Sequence, residues 1–283
     1  MKFISFRYQD AACYGVVRED GIVNLSARYG DQYASLKDVL AAGALDELKA
    51  VAADASADLK EDQITYDVPI PNPAKIMCAG RNYRAYHEVV EEGAAPPFPS
   101  IFSRMISSFT AHKQPLIKPK VDDSLDYECE LVAIIGKQGR HIDAANALDH
   151  VAGYTCMNEG TVREWMKMGT QNFPAKNFRH AGSIGPWMVT ADEIPDPSAQ
   201  HITTRRNGTV VQDDGTNMMI FDLQYLIAHT SKFNMLEPGD MIATGSPGGS
   251  AIESKPPQWL QPGDEMEFEV SGVGILRNSV ADE

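Results

Sequence analysis

The sequence predicts an α+β protein, mostly β, in two parts: a small α/β unit over residues 1–72 and a larger strand-rich domain over residues 73–283. Three observations predict it. The stretch "YDVPIPNPAK" carries Pro69, Pro71 and Pro73, and proline at every second residue disfavours both helix and central strand. It reads as an extended linker, which puts the boundary near residue 72. Ahead of it, short strand patterns lead into one helical stretch. Behind it, turn signals recur between apolar runs, as a β-rich domain requires.

The elements follow in order. Residues 2–25 read as short strands, with "VVREDGIVNL" a hairpin turning at Asp20-Gly21. "SLKDVLAAGALDELKAVAA" (35–53) predicts one helix, capped by Ser35 with Asp38 three residues on. "KIMCAG" is a strand, "RNYRAYHEVVEEG" a short helix or ordered loop, and "AAPPFPS" a break. Helices are expected near 160–168 and 222–233, and a hairpin at Asn207-Gly208. "LEPGDMIATG" (236–245) and "LQPGDEMEFEV" (260–270) each set a Pro-Gly-Asp turn ahead of a strand.

Composition narrows the function. The 283 residues are 43% hydrophobic and 23% charged, ordinary for a soluble globular protein. A net charge of −14 leaves no basic excess for nucleic acid or an anionic membrane surface. The N-terminus shows no basic region followed by a long apolar run, so no signal peptide is expected, and no run is long enough for a membrane span. Cys13, Cys78, Cys129 and Cys156 form no CxxC pair and no zinc spacing. A cytoplasmic protein with reduced thiols is the simplest expectation.

"LDYECELVAIIGK" (125–137) reads as one buried strand that carries two carboxylates at its start. Residues i and i+2 share a strand face, so Glu128 and Glu130 point together, followed on that face by Val132 and Ile134. Leu131, Ala133 and Ile135 line the other face, with Cys129 among them. Two neighbouring carboxylates repel and resist desolvation, and a divalent cation removes both penalties; oxygen ligands suit Mg²⁺, Mn²⁺ or Ca²⁺. Spacing alone favours two hydrated glutamates at an exposed strand end. The second observation is "VAGYTCMNE" (151–159), where another apolar strand runs into a carboxylate, Glu159.

Seven separated motifs then follow in one order: "CAGRNY" (78–83), "DYECELVAIIGK" (126–137), "VAGYTCMNEGTVREW" (151–165), "KNF" (176–178), "GP" (185–186), "LEPGDMIATGSPGG" (236–249) and "GVGILRN" (272–278). Over residues 73–280 this resembles the fumarylacetoacetate hydrolase family, acylpyruvase-like members included. The resemblance implies a mixed β-sandwich roll built around a metal site, in a homodimer. It implies a metal-dependent hydrolase that cleaves a C–C bond of a 2,4-diketo acid, such as fumarylpyruvate or maleylpyruvate, in the catabolism of aromatic or related compounds. The same metal chemistry also serves oxaloacetate-type decarboxylases and 2-oxo acid isomerases or hydratases.

Carried over residue by residue, the resemblance makes Glu128, Glu130 and Glu159 the metal ligands, with Glu159 standing where Asp is common. It makes His87 the general base, oriented by Glu91 at i+4, and Lys176 a stabiliser of negative charge. Arg81, Arg163 and Ser246 become substrate contacts, while Met166 stands where a glutamine is often found. Each has a plainer reading: His87 an exposed helix residue, Arg163 paired with Glu159 or Glu164, Lys176 a surface lysine after a proline turn. "TGSPGGS" lacks the phosphate-loop pattern and reads as a tight turn at the site rim. Trp165, Trp187 and Trp259 read as core or interface. A non-catalytic binding protein on the same fold is the third possibility, and the intact acidic trio argues against it.

Overall fold

The computed structural model describes residues 1–84 and 96–283. Its architecture is α+β with mixed sheets and no closed barrel. Among the described residues the main sheet has eleven strands: nine run in order from the hairpin Gly21–Asn24 and Ala11–Arg18, through Lys2–Tyr8, Gly182–Thr190, Val151–Asn158, Cys129–Ile135 and Met241–Ala243, to Ile76–Gly80 and Ser100–Ser103, while Thr65–Tyr66 pairs with Lys2–Tyr8 and Phe109–Thr110 with Gly182–Thr190. A second sheet of five strands is ordered Thr209–Gly215, His201–Arg206, Glu265–Val270, Gly274–Asp282, Leu116–Lys118.

Cys129–Ile135 is the central strand, and its alternation divides the interior in two. Leu131, Ala133 and Ile135 join the core that the five-stranded sheet covers through Ile202, Phe268 and Leu276. Val132 and Ile134 join the core beneath the N-terminal strands and helices, with Phe3, Leu36 and Leu48. A strand apolar on both faces is buried on both.

The N-terminal strands are continuous with the main sheet. Lys2 pairs with Val189 and Phe3 with Met188 across the antiparallel junction. Residues 1–72 thus share a sheet and a core with the larger part, and Val68 and Ile70 of the proline-rich stretch are buried in that core.

Several sequence expectations shift locally. The hairpin expected at Asp20-Gly21 turns at Glu19-Asp20, since Gly21 already pairs with Arg18 as the first residue of its strand. Ser35 caps as expected, its hydroxyl accepting from the Asp38 amide at 3.3 Å. The stretch 35–53 nevertheless forms two helices, Leu36–Ala41 and Leu45–Asp54, because Gly43 adopts φ +67 between them. The segment near 160–168 is a two-residue strand, Thr161–Val162, and a 3₁₀ turn, Arg163–Lys167. The helix Leu223–Phe233 forms as expected, capped by Asp222.

Both Pro-Gly-Asp turns are built alike. Asp240 accepts the Glu237 amide at 2.8 Å and Asp264 the Gln261 amide at 2.7 Å, with Gly239 and Gly263 at positive φ.

Candidate active site

The expected strand over 125–137 is interrupted. Leu125–Asp126 pairs with Thr161–Val162, and the central strand begins at Cys129, leaving Tyr127 and Glu128 between the two. The register of the central pair sets Cys129 opposite Asn158, which brings Glu128 opposite Glu159. The backbone closes this meeting: the Glu159 amide donates to the Glu128 carbonyl at 2.7 Å, and Asn158 Oδ1 accepts the Glu128 amide at 3.0 Å. Glu130 follows two residues after Glu128 and accepts the Gly245 amide at 2.8 Å. The three glutamates therefore line one cleft, together with Gly80, Phe102 and Met166.

Two cations interlock with them. Lys176 arrives on the short helical turn Phe173–Lys176, and its ammonium bridges Glu128 Oε2 and Glu159 Oε2, the latter at 2.7 Å. Arg163 donates from Nε to Asp126 Oδ2 at 2.6 Å and from its terminal nitrogen to Glu128 Oε1 at 3.0 Å. Thr161 adds a hydroxyl bond to Glu128 Oε2 at 2.7 Å. Arg104 lies just behind, buried over the Phe109 ring and bonded to the Gly160 carbonyl and Ser108.

The electrostatics differ from one carboxylate to the next. Burial pushes Glu128 up, but Arg163 and Lys176 outweigh it and hold the group down at about 2. Among the described residues Glu130 has no such cation in contact; burial, then the charges of Glu159 and Glu128, push it well above the usual carboxylate range. Burial disfavours the charge on Lys176, and Glu128 and Glu159 reverse that, so its pKa is raised. Glu159 is almost fully buried, and its Oε1 has no hydrogen-bond partner among the described residues. A buried acceptor without a partner is costly.

These features test the expected metal. The donor set is oxygen only, one buried oxygen has no partner among the described residues, and burial together with its like-charged neighbours disfavours the charge on one carboxylate. That set fits a hard divalent cation. Among the described residues, no three acidic, histidine or cysteine side chains stand as a ready cage. Lys176 bridges two of the three glutamates instead, so an ion at this trio would replace a contact of Lys176.

The other expected residues are placed as follows. Arg81, at φ +57, and Ser246 both line the cleft. Arg163, expected to meet a substrate carboxylate, is committed inside the protein to Asp126 and Glu128, and pairs with neither Glu159 nor Glu164. Lys176 is buried rather than a surface lysine. The "TGSPGG" turn does form the rim, with Gly245 at φ +92 because a Cβ there would meet the Ala79 carbonyl at 2.8 Å. His87 and Glu91 lie outside the described residues.

Asp126 was not foreseen. Fully buried, it accepts the Tyr127 and Ala251 amides as well as Arg163, and so ties the root of Glu128 to the loop after the rim. Its parity with Glu128 and Glu130 is the signal that marks it. Asn82 was also missed; its side chain bonds the Phe221 amide and carbonyl and the Thr244 carbonyl.

A family profile for the fumarylacetoacetate (FAA) hydrolase C-terminal region matches residues 75–281. The chain belongs to the fumarylacetoacetate hydrolase family. Its sequence is similar to the mitochondrial oxaloacetate tautomerase of Xenopus laevis, 35% identical over 99% of this chain and 90% of that protein. Its structure is similar to the fumarylacetoacetate hydrolase of psychrophilic Exiguobacterium antarcticum, with TM-score 0.84, 30% identity and complete coverage of both chains. It is also similar to the maleylpyruvate hydrolase of Sphingobium sp. SYK-6 in complex with manganese(II) and pyruvate, with TM-score 0.83, 25% identity, and 100% and 99% coverage. This is an enzyme of that family, whose relatives include hydrolases, isomerases and tautomerases. Among the described residues, no helix is long and apolar enough to cross a membrane.

Proposed function

We propose that this enzyme interconverts the keto and enol forms of a short 2-oxo dicarboxylate, with oxaloacetate the first substrate to test. The observation that carries this reading is the buried, interlocked acid cluster, which lines one cleft together with Phe102 and Met166. Carboxylates, cations and the Ser246 hydroxyl around it suit a compact, oxygen-rich ligand. The full-length similarity to an oxaloacetate tautomerase supports the same choice.

Tautomerisation needs a proton taken from the carbon beside the ketone and a proton placed on the ketone oxygen. A divalent ion, Mg²⁺, Mn²⁺ or Ca²⁺, held by Glu128, Glu130 and Glu159, would polarise the ketone and fix the adjacent carboxylate. Arg163 and Thr161 fix Glu128 for that task. Lys176 holds its proton at Nζ between Glu128 and Glu159, close enough to stabilise charge on, or pass a proton to, a substrate oxygen. Arg81 at the rim binds the distal carboxylate and Ser246 a neighbouring oxygen. His87, oriented by Glu91, is our candidate for the base at carbon. Phe102 and Pro247 restrict water, which keeps the enol from side reactions.

A second reading is hydrolysis of an acylpyruvate, in which the same base activates a water against the distal carbonyl and pyruvate leaves. The likeness to a maleylpyruvate hydrolase favours it. A panel assay with Mn²⁺ or Mg²⁺ separates the readings. The tautomerase reading expects faster loss of oxaloacetate enol absorbance, with neither pyruvate nor CO₂ released. Pyruvate release from fumarylpyruvate or maleylpyruvate, with no effect on the enol, would overturn it in favour of the hydrolase. Metal-dependent CO₂ release would instead mean a decarboxylase. We further propose a homodimer in a reducing, cytoplasmic compartment, consistent with four free thiols.

A further inference from the structure

The rim turn that carries Ser246 belongs to the main sheet, yet its outer side rests on the second sheet. Where they touch, the strands His201–Arg206 and Thr209–Gly215 lose register. Thr204 pairs with Gln212 but Arg205 with Val210, so Val211 is the extra residue of a bulge. A bulge re-aims the side chain beside it. Here that side chain is Gln212, which is buried and points into the junction.

We infer that Gln212 is a positioning residue that locks the substrate rim onto the acid-bearing strand. Its amide is saturated. Oε1 accepts the Cys129 amide at 3.1 Å and the Thr204 hydroxyl at 2.8 Å. Nε2 donates to Ser246 Oγ at 2.9 Å and to the Pro247 carbonyl at 2.8 Å. Two backbone partners fix the amide's orientation, because Cys129 N–H can only donate and the Pro247 carbonyl can only accept. Cys129 sits between Glu128 and Glu130. One side chain therefore joins the backbone of two acidic residues to the turn that faces the substrate.

Close packing at the same junction is independent of these bonds. Gly249, at φ +98, lies so near the bulge that a Cβ would meet the Val211 carbonyl at 2.0 Å. Tyr127 Oη donates to the Gly249 carbonyl at 3.2 Å from the other side. The rim is thus held from both flanks, and Gln212 is the contact that reaches the acids. Partners one step behind a site's ligands commonly matter about tenfold or more for affinity or rate.

The two halves of the amide separate in the test. Gln212→Glu, ionised at alkaline pH, keeps acceptors for Cys129 and Thr204 and loses the donor to the rim. It should raise the KM for oxaloacetate about tenfold while leaving kcat within about threefold. Gln212→Met loses both halves and should lower kcat as well. Thr204→Val removes one outer bond only and should leave both constants within about twofold. All are measured well below each variant's melting temperature, so that only folded protein is compared. A merely structural Gln212 would lower the melting temperature and leave KM and kcat of the folded variants unchanged, and that result overturns the inference. Should the Met variant not fold, the Glu variant alone decides.

The inference rests on the proposed site but not on the reaction. Calorimetric binding of pyruvate in the presence of Mn²⁺ gives a second measure. If wild-type protein binds pyruvate but leaves oxaloacetate enol untouched, the tautomerase reading fails. Gln212→Glu must still weaken pyruvate binding about tenfold for the positioning role to stand.

Discussion

The acid cluster and the wide cleft beside Trp187 are both lined by charges, in two different ways. The wide cleft is about 630 Å³, far larger than the acid cleft, and lies where Arg18 and Gly21 of the Ala11–Asn24 hairpin face His112, Lys113 and Arg277. Its ion pairs are open to water: Lys113–Glu61 at 2.6 Å and Arg277–Glu267 at 2.9 Å have side chains about a third to a half exposed. In the acid cleft, Arg163, Lys176, Asp126 and Glu159 are all at most 5% exposed, and each charge depends on its neighbours. Exposed pairs contribute little, while buried ones are costly to assemble and costlier to break. Space locates a ligand only where charge is also held out of water, and the smaller cleft meets that condition.

The largest effect should come from the acid cleft. Glu130→Gln keeps the side chain's shape and an acceptor for the Gly245 amide but removes one of three mutually repelling carboxylates. Turnover should fall about a hundredfold or more. The melting temperature should hold or rise, because the substitution relieves like-charge repulsion. A large loss of stability together with retained metal-dependent turnover would contradict the ligand assignment.

Asp126→Asn comes next. It leaves the Arg163 guanidinium buried with Glu128 as its remaining charge partner, and removing one member of a buried pair costs about 3–5 kcal/mol. Urea unfolding should show that loss, and turnover should drop with it because Glu128 loses its fixed partner. A change under about 1 kcal/mol would place Asp126 with the exposed pairs of the wide cleft.

How far the sequence foretold this contrast depends on the distance over which each feature is determined. Glu128 and Glu130 were legible because i, i+2 parity is local. The Pro-Gly-Asp turns and the Ser35 cap were legible for the same reason. Glu159 could be expected at a strand end, but its place opposite Glu128 comes from a register between strands. The break at Tyr127–Glu128 was not visible, since it arises from pairing of Leu125–Asp126 with Thr161–Val162. Nor was the Phe3–Met188 pairing that merges the N-terminal strands into the main sheet, which spans most of the chain. The inward turn of Gln212 was not visible either, because it comes from the bulge at Val211.

The wide cleft holds a buried histidine, His112, and it should show in stability rather than in rate. Its ring stacks edge-on against Tyr66, and its Nδ1 accepts the Arg277 amide at 3.1 Å. Burial, then the nearby Lys113 charge and Arg277, lower its pKa from 6.5 to about 4, with Glu61 opposing them. The unfolded chain therefore takes up a proton more readily. Stability is complete above about pH 6.5 and is lost as pH falls toward 4, by about 3 kcal/mol at most. His112→Asn, whose Oδ1 can replace Nδ1, should flatten that slope and leave kcat/KM unchanged. An unaltered slope would assign the acid lability elsewhere.

Lys113→Ala should have the smallest effect, and it is the sharpest control on the comparison. The pair with Glu61 is short, but both side chains are about half exposed, so solvent screens most of the attraction that lowers the Glu61 pKa. The expected loss is at most about 1 kcal/mol and should shrink further in high salt. Removing this cation also removes a charge that disfavours protonated His112, so the variant's acid lability should ease slightly. Turnover should stay at the wild-type value, because nothing in the wide cleft reaches Glu128, Glu130 or Glu159. A kinetic defect in Lys113→Ala as large as that of Glu130→Gln would mean that the wide cleft, and not the acid one, takes the substrate.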